Sequence, residues 1–235
     1  MNALAGIRLA AAGAAAFTAG WAGVGTLTWL RYGHRRADLG HAGLIDTVMP
    51  EPEVDECHAV RVAAPAAATF AAAKALDLQA SPINAAVIAL RTLPARLRGE
   101  EVRAEASKGL LAETEALGWG HLAEEPGREI VMGAVCQPWE GEVVFRPLPA
   151  DEFAAFAEPG YAKIAWTLEV EPDGDAACTF RTRTRVATTD PQARRRFRRY
   201  WSIFSPGILL IRLEALRLLR AAAQHRAAAT APGAI

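Results

Sequence analysis

The amino-acid sequence predicts an α+β fold in which helices cover one face of an antiparallel sheet. Three stretches indicate this class: residues 57–97 read as one strand and two helices, residues 118–186 as short strands, and residues 189–226 as a long helix. The order strand, helix, helix, five or six strands and long helix is typical of an antiparallel sheet with packed helices.

The composition fits a packed globular domain with an uneven distribution of charge. The chain has 235 residues, of which 51% are hydrophobic and 22% charged, and its formal net charge is zero. Residues 190–226 nevertheless carry nine arginines against only Asp190 and Glu214. Such a segment indicates internal pairing with the acidic remainder or contact with an anionic surface. Because these arginines surround the helix, we expect no nucleic-acid partner.

The N-terminal segment, residues 1–32, is a candidate membrane anchor. Residues 9–30 contain no charged side chain, and a helix of this length can cross a hydrocarbon core about 30 Å thick. More arginine follows the span than precedes it, which predicts a single pass through the inner membrane with the globular domain in the cytoplasm. A cleaved signal peptide is one alternative, because Ala14-Ala15-Ala16 resembles a cleavage site; a soluble helix or a misjudged start codon is another.

Residues 33–56 read as a linker, because glycine, proline and acidic residues interrupt the apolar pattern. Alternating residues at 58–63 predict the first strand of the domain, and an alanine-rich helix follows at 66–76. A second helix is predicted from Ser81-Pro82 to residue 97, with serine as N-cap and proline as first helical residue.

Short strands are predicted through the middle of the domain. Two turns, at residues 124–127 and 172–175, separate pairs of them. The last strand places three arginines on one face, which predicts a solvated surface because they cannot all be buried unpaired. Glu169 and Glu171 on the neighbouring strand are available as their cross-strand partners. The strands are expected at residues 118–123, 128–136, 143–148, 161–170 and 178–186.

The final helix is predicted from Thr189 to residue 226, before a disordered tail at 227–235. Thr189-Asp190 offers an N-cap, and Pro191 suits the first helical position. Ser205-Pro206-Gly207 should bend the helix without ending it. One apolar stripe continues through the bend and consists of Phe197, Trp201, Phe204, Ile208, Ile211, Ala215, Leu218 and Ala222.

Four parts of the chain resemble a known superfamily. They are RVAAP at 61–65, EEPGRE at 124–129, EPGYAK at 158–163, and TRV at 184–186 leading to TDP at 189–191. In this order of elements they resemble the START-like, or SRPBCC, superfamily of polyketide cyclases and lipid-transport proteins, in particular bacterial members of undefined function. The resemblance covers residues 57–226 and implies a helix-grip fold, in which a curved antiparallel sheet of about six or seven strands wraps around the C-terminal helix and leaves a cavity.

A cavity of this kind suits a hydrophobic small molecule or a lipid. We therefore predict a membrane-tethered, noncatalytic binding protein without a cofactor. Candidate lining residues are the large apolar side chains and one histidine of the domain, namely Trp119, His121, Met132, Phe145, Trp166, Phe180, Trp201, Phe204 and Ile208.

Two other functions stay open at this point. One is a cyclase-type or hydratase-type enzyme using the same cavity, for which His121 would be the first group to test. The other is a structural or regulatory protein that contacts an anionic membrane or a partner through the basic start of the final helix. The residues of that surface would be Arg194, Arg195, Arg196, Arg198 and Arg199.

Motifs for several common chemistries are absent from the sequence. It contains no GxGxxG, GxxxxGK[ST], HExxH or GxSxG. The five histidines and the cysteines Cys57, Cys136 and Cys178 lack metal-ligand spacing, so we assign no catalytic residue and no metal. Three cysteines cannot form a closed disulfide framework, and we expect them to be reduced and packed in the sheet.

Overall fold

The computed structural model describes residues 3–34, 43–78, 80–83, 85 and 107–230. Together they form the α+β architecture that the sequence predicts. In chain order the elements are α1 (Ala3–Arg31), α2 (Ile45–Val48), β1 (Val54–Val62), α3 (Ala66–Lys74), α4 (Leu110–Ala116), β2 (Gly120–Glu125), β3 (Glu129–Cys136), α5 (Ala150–Ala155), β4 (Ala162–Pro172), β5 (Cys178–Thr188) and α6 (Pro191–Thr230).

The described residues form one antiparallel sheet of five strands in the order β1-β5-β4-β3-β2. This is fewer than the six or seven that the sequence predicts. The predicted strand at residues 143–148 makes only an isolated bridge, between Val135 and Arg146. Pro147 and Pro149 follow that bridge, and a proline has no N–H to extend a ladder.

The two faces of the sheet are both covered, although the sequence predicts helices on one face only. Because side chains alternate along a strand, even-numbered residues of β3, β4 and β5 point toward α3 and α6. We call this the helix face; its core includes Phe70, Ile130, Met132, Leu168, Val170, Phe180, Leu216 and Leu219. On the opposite face, α2 and α5 cover a second cluster that includes Ile45, Leu122, Val131, Val135 and Phe153.

Asp190 is the N-cap of α6, as predicted. One carboxylate oxygen accepts the N–H groups of Gln192 at 2.6 Å and Ala193 at 3.0 Å. The other accepts the N–H of Gly160, and the neighbouring Thr189 hydroxyl accepts the N–H of Tyr161 at 3.0 Å. Two of the segments that carry the superfamily resemblance therefore meet at the start of this helix.

The helix α6 runs through Pro206 without ending, as predicted, and most of its predicted apolar stripe faces the core. Phe197 and Trp201 are buried, and the partly buried side chains of Ile208, Ala215, Leu218 and Ala222 pack against the core. Phe204 departs from the prediction, because it is 39% exposed and Ser205 is buried in its place. The buried residues of α6 are Ala193, Phe197, Trp201, Ser205, Pro206, Gly207, Glu214, Leu216, Leu219 and Ala223.

The N-terminal segment forms α1, but the structure does not support the predicted transmembrane anchor at residues 9–30. Among the described residues, no helix combines the length and the hydropathy that crossing a membrane requires. The segment is free of charge, yet alanine and glycine make up most of it and contribute little hydropathy.

Helix α1 packs on α6 in an antiparallel arrangement. The indole N–H of Trp21 donates to the carbonyl of Ile203 at 3.0 Å, and the Arg198 guanidinium donates to the carbonyl of Trp29 at 2.8 Å. A Cβ at Gly25 would lie 2.5 Å from the carbonyl oxygen of Ser202, so only glycine permits this approach.

Residues 43–56, which the sequence predicts as part of a linker, pack into the domain. Ile45 and Met49 are buried against the opposite face of the sheet, and β1 begins at Val54. Farther along, Ser81 accepts the N–H of Ile83 at 3.2 Å, as a helix N-cap should. The rest of the predicted second helix lies largely outside the described residues, as does the tail after Thr230.

The arginine row of β5 is paired, not solvated as the sequence predicts. Arg185 contacts Asp46 at 2.6 Å and Asp55 at 3.1 Å, and it donates to the carbonyl of Met49 at 2.8 Å. Arg183 contacts Asp55 at 2.6 Å. The row is half-buried or buried because α2 and β1 bring acceptors over it from a distant part of the chain. Arg181 pairs with Glu169 and Glu171 on the neighbouring strand.

Candidate ligand-binding cavity

A cavity of about 270 Å³ lies between the helix face of the sheet and α6. Strands β4 and β5 form its floor, α6 forms its roof, and α3 and α4 close its sides. Its polar lining residues, within the described chain, are Thr114, Thr182 and Arg212. The remaining lining consists of Ala73, Leu76, Leu78, Leu110, Trp119, Trp166, Leu168, Phe180, Ile208, Ile211, Ala215, Leu216 and Leu219.

Aromatic side chains form one wall of this cavity. The ring centroid of Trp119 lies 5.0 Å from that of Phe145 and 6.3 Å from that of Trp166. Gly118 positions Trp119: its φ is +96°, and a Cβ there would lie 2.7 Å from the carbonyl oxygen of Phe145. The wall is therefore held by local backbone geometry as well as by ring packing.

A partly buried polar cluster surrounds the guanidinium of Arg212. Its Nη1 lies 3.0 Å from Glu56 Oε2 and 3.2 Å from His58 Nδ1, and its Nη2 donates to Thr184 Oγ1 at 2.9 Å. The register of β1 and β5 places Glu56 opposite Thr184 and His58 opposite Thr182. All of these side chains point toward α6, and Arg212 lies on the side of α6 that faces the sheet.

The protonation of this cluster follows from its geometry. Burial lowers the pKa of the Arg212 guanidinium and Glu56 opposes the shift, yet arginine titrates so far above neutrality that it stays charged. Because a guanidinium only donates, His58 accepts at Nδ1, and the neutral ring carries its proton on Nε2. The formal charges of Glu56 and Arg212 then balance.

A second cavity of about 220 Å³ lies between α1, α6 and β1. Glu56 and His58 line this second cavity, whereas Arg212 lines the first. The Tyr32 hydroxyl donates to Glu53 at its edge; burial and this carboxylate raise the pKa of the tyrosine. The Arg212 cluster therefore lies between the apolar cavity and a cavity that has several charged lining residues.

Four of the nine predicted lining residues line the apolar cavity: Trp119, Trp166, Phe180 and Ile208. They reach it from the loop before β2, from two adjacent strands and from α6. These positions share one property that the sequence shows, which is a large apolar side chain on the face predicted to point inward.

The other five predicted residues lie elsewhere. Met132 is fully buried in the core, Phe145 stacks behind Trp119, and Trp201 lines the second cavity. Phe204 is exposed beside Tyr200. The side chain of His121 is 43% exposed and lies 3.6 Å from Glu124.

Sequence reasoning missed the polar members of the site, Glu56, His58 and Arg212. Glu56 falls in the predicted linker, and Arg212 looks like one more surface arginine of a basic helix. The alternation of side chains along β1 could have located two of them. Glu56, His58, Val60 and the fully buried Val62 follow one another at intervals of two residues, so all four side chains point to the same face of the sheet.

The basic start of α6 is partly engaged within the molecule. Arg194 lies 3.7 Å from Glu53, and Arg196 lies 3.5 Å from Glu140. Arg198 stacks on the ring of Trp29, with its guanidinium carbon 4.0 Å from the ring centroid. The remaining two, Arg195 and Arg199, are exposed.

Neither a protein-family model nor a curated relative matches the chain. Solved structures similar to it include a norcoclaurine synthase of Thalictrum flavum, at 12% identity over 74% of this chain and 96% of that chain, with a TM-score of 0.32. A Streptomyces aromatase/cyclase matches at 13% identity over 77% and 99%, with a TM-score of 0.29. A hypothetical protein of Helicobacter pylori matches at 8% identity over 82% and 99%, with a TM-score of 0.30. At these identities and TM-scores the matches carry no argument about family, ligand or reaction.

Proposed function

We propose that the protein binds a hydrophobic small molecule in the cavity between the sheet and α6 without catalysing a reaction on it. One observation carries the proposal: the cavity has an almost entirely apolar lining, and within the described chain neither a carboxylate nor an imidazole belongs to it. Cavities of this type bind ligands through shape and apolar contact, with a few polar groups that fix orientation.

The size of the cavity limits the ligand to a small compound. An apolar cavity of roughly 150 Å³ accommodates benzene. A volume of about 270 Å³ therefore suits an apolar molecule of bicyclic size. Each Å² of apolar surface removed from water contributes about 25 cal/mol, and part of this is lost to immobilising the ligand. We expect micromolar to submillimolar affinity for a compound without polar groups.

The test measures binding of tetralin, a bicyclic hydrocarbon, to the full chain by equilibrium dialysis. We expect saturable binding that Ala215→Phe weakens by at least about tenfold, because Ala215 lines the cavity and the added ring fills it. Ala221→Phe is the matched control, since Ala221 is exposed on the same helix. Absence of tetralin binding, or equal loss in both variants, would contradict the proposal.

A cyclase-type or hydratase-type reaction is a second candidate, favoured by the contact of Glu56 and His58 with Arg212. Proton transfer to a ligand requires a titratable group within hydrogen-bond reach of it. Glu56 and His58 line the second cavity, so among the described residues Arg212 is the one titratable group that lines the apolar cavity. Arginine exchanges no proton near neutral pH, which favours binding over catalysis. Conversion of a bound ligand that Glu56→Gln abolishes would favour the enzyme.

A further inference from the structure

The side chain of Arg212 lines the apolar cavity, and its guanidinium has N–H groups without an acceptor among the described residues. A guanidinium carries five N–H groups, and the contacts with Glu56, His58 and Thr184 use three of them. No other hydrogen bond from Arg212 is present among the described residues, and the side chain lines the cavity. Two N–H groups therefore remain for an oxygen acceptor.

The position of these donors is fixed before a ligand arrives. Two strands hold the guanidinium through Glu56, His58 and Thr184, and its side chain is only 10% exposed. A donor that is already oriented loses little entropy on binding, and a hydrogen bond shielded from water is stronger than an exposed one. This arrangement can discriminate between ligands that carry an acceptor and ligands that do not.

The charge of the cluster decides which kind of acceptor fits. Glu56 at 3.0 Å balances the charge of Arg212, and His58 accepts a hydrogen bond as a neutral ring. A carboxylate ligand would add an unbalanced negative charge to a cavity with an apolar lining, which costs free energy. An uncharged oxygen adds no charge and still receives a charge-assisted hydrogen bond.

We propose that the cavity selects apolar compounds that carry one uncharged oxygen acceptor, such as a ketone, and that Arg212 binds this oxygen. The inference rests on the proposed function, because it assigns the ligand class of the same cavity. Arg212 acts here as a ligand-binding residue, while Glu56 and His58 are positioning residues that hold its guanidinium and balance its charge.

The experiment compares three bicyclic probes of one framework: tetralin, 1-tetralone and tetralin-1-carboxylate. Equilibrium dialysis with the full chain should show 1-tetralone binding about tenfold more tightly than tetralin, and the carboxylate more weakly than the ketone. In the variant Arg212→Met with Glu56→Gln, which keeps the charge balance, the preference for the ketone should fall below about twofold. Arg220→Met, at an exposed arginine of the same helix, should retain the preference.

A single substitution provides a second test. Glu56→Gln leaves Arg212 in place and gives the cluster a net positive charge, so affinity for the carboxylate should rise about tenfold relative to the unmodified protein. Circular dichroism verifies that each variant is folded.

The possible failures are distinguishable. Equal affinity for tetralin and 1-tetralone would overturn the role of Arg212 and leave apolar binding intact. Tighter binding of the carboxylate by the unmodified protein would overturn the uncharged-acceptor class. Failure of every probe to bind would overturn the proposed function itself.

Discussion

Each face of the sheet holds a poorly exposed arginine, and the two arginines differ in the charge of their partners. On the opposite face, Arg185 is 5% exposed and contacts the carboxylates of Asp46 and Asp55 and the carbonyl of Met49. On the helix face, Arg212 has one carboxylate and two neutral partners and lines a cavity. The two carboxylates beside Arg185 indicate a structural role, whereas the cavity beside Arg212 indicates a ligand site.

The difference arises from what covers each arginine. Helix α2 lies over the opposite face and brings Asp46 and the Met49 carbonyl to Arg185. Above the helix face, α6 contributes Arg212 itself, and its neighbours at the cavity are Ile208, Ala215 and other apolar residues. Within the described chain, no second acid therefore reaches Arg212, and none of the described residues fills the cavity beside it.

The largest expected effect on stability comes from removing a carboxylate partner of Arg185. Asp55→Ala removes the carboxylate that Arg183 and Arg185 share and leaves two poorly exposed cations without it. Removing one partner of a buried ion pair costs about 3–5 kcal/mol, so we expect a loss of about 3 kcal/mol in the free energy of unfolding. Urea denaturation monitored by circular dichroism measures it.

Asp173→Ala is the matched control, because Asp173 pairs with Arg61 at 2.7 Å where both side chains are largely exposed. An exposed pair contributes at most about 1 kcal/mol. If both variants lost the same stability, the distinction between a structural arginine network and a solvated one would be wrong.

Local signals allowed much of the fold to be predicted, since they reside in neighbouring residues. The Asp190 cap, the alternation in β4 and β5, and the continuation of α6 through Pro206 all follow from short stretches of sequence. The α+β class follows from the order of such stretches. Apolar size and parity located four lining residues of the cavity.

The polar half of the site could not be predicted in this way, because its partners are distant in the chain. Arg212 contacts Glu56 across 156 residues, and Arg185 contacts Asp55 across 130. Which arginine of a basic helix is buried depends on the register between β1 and β5 and on the rotation of α6. Neither quantity is encoded in a local pattern, so the apolar pattern does not indicate that Ser205 is buried or that Arg212 contacts Glu56.

An intermediate effect on stability is expected when a larger side chain is added to α6, and it should differ between the packed core and the cavity. Ala223 is fully buried in the core, and Ala215 lines the cavity. Adding methylene groups to a packed core costs about 1–3 kcal/mol, which we expect for Ala223→Leu. Ala215→Leu has room for its side chain and should change the unfolding free energy by less than about 1 kcal/mol while weakening tetralin binding. Equal destabilisation in thermal or urea unfolding would mean that the cavity is filled.

The smallest expected effect concerns the acid dependence of the Arg185 network. Partial burial raises the pKa of Asp46, but the N–H of Gly43 and the guanidinium of Arg185 outweigh it and hold the pKa below its ordinary value of 3.8. A carboxyl with a depressed pKa stabilises the fold above its unfolded-state value, and this stabilisation is lost as the pH falls through the folded-state value. Asp46→Asn should therefore flatten the fall in unfolding free energy below about pH 4.

The effect is small because the Asp46 side chain is 37% exposed and water screens its pairing with Arg185. Between pH 6 and pH 8 the carboxylate is ionised in both states, so the variant and the unmodified protein should give parallel curves there. If the unfolding free energy of Asp46→Asn fell with acid as steeply as that of the unmodified protein, Asp55 would be the one carboxylate that stabilises Arg185. Arg185 would then have one carboxylate partner, as Arg212 does, and the empty volume beside Arg212 would become the feature that distinguishes the two faces.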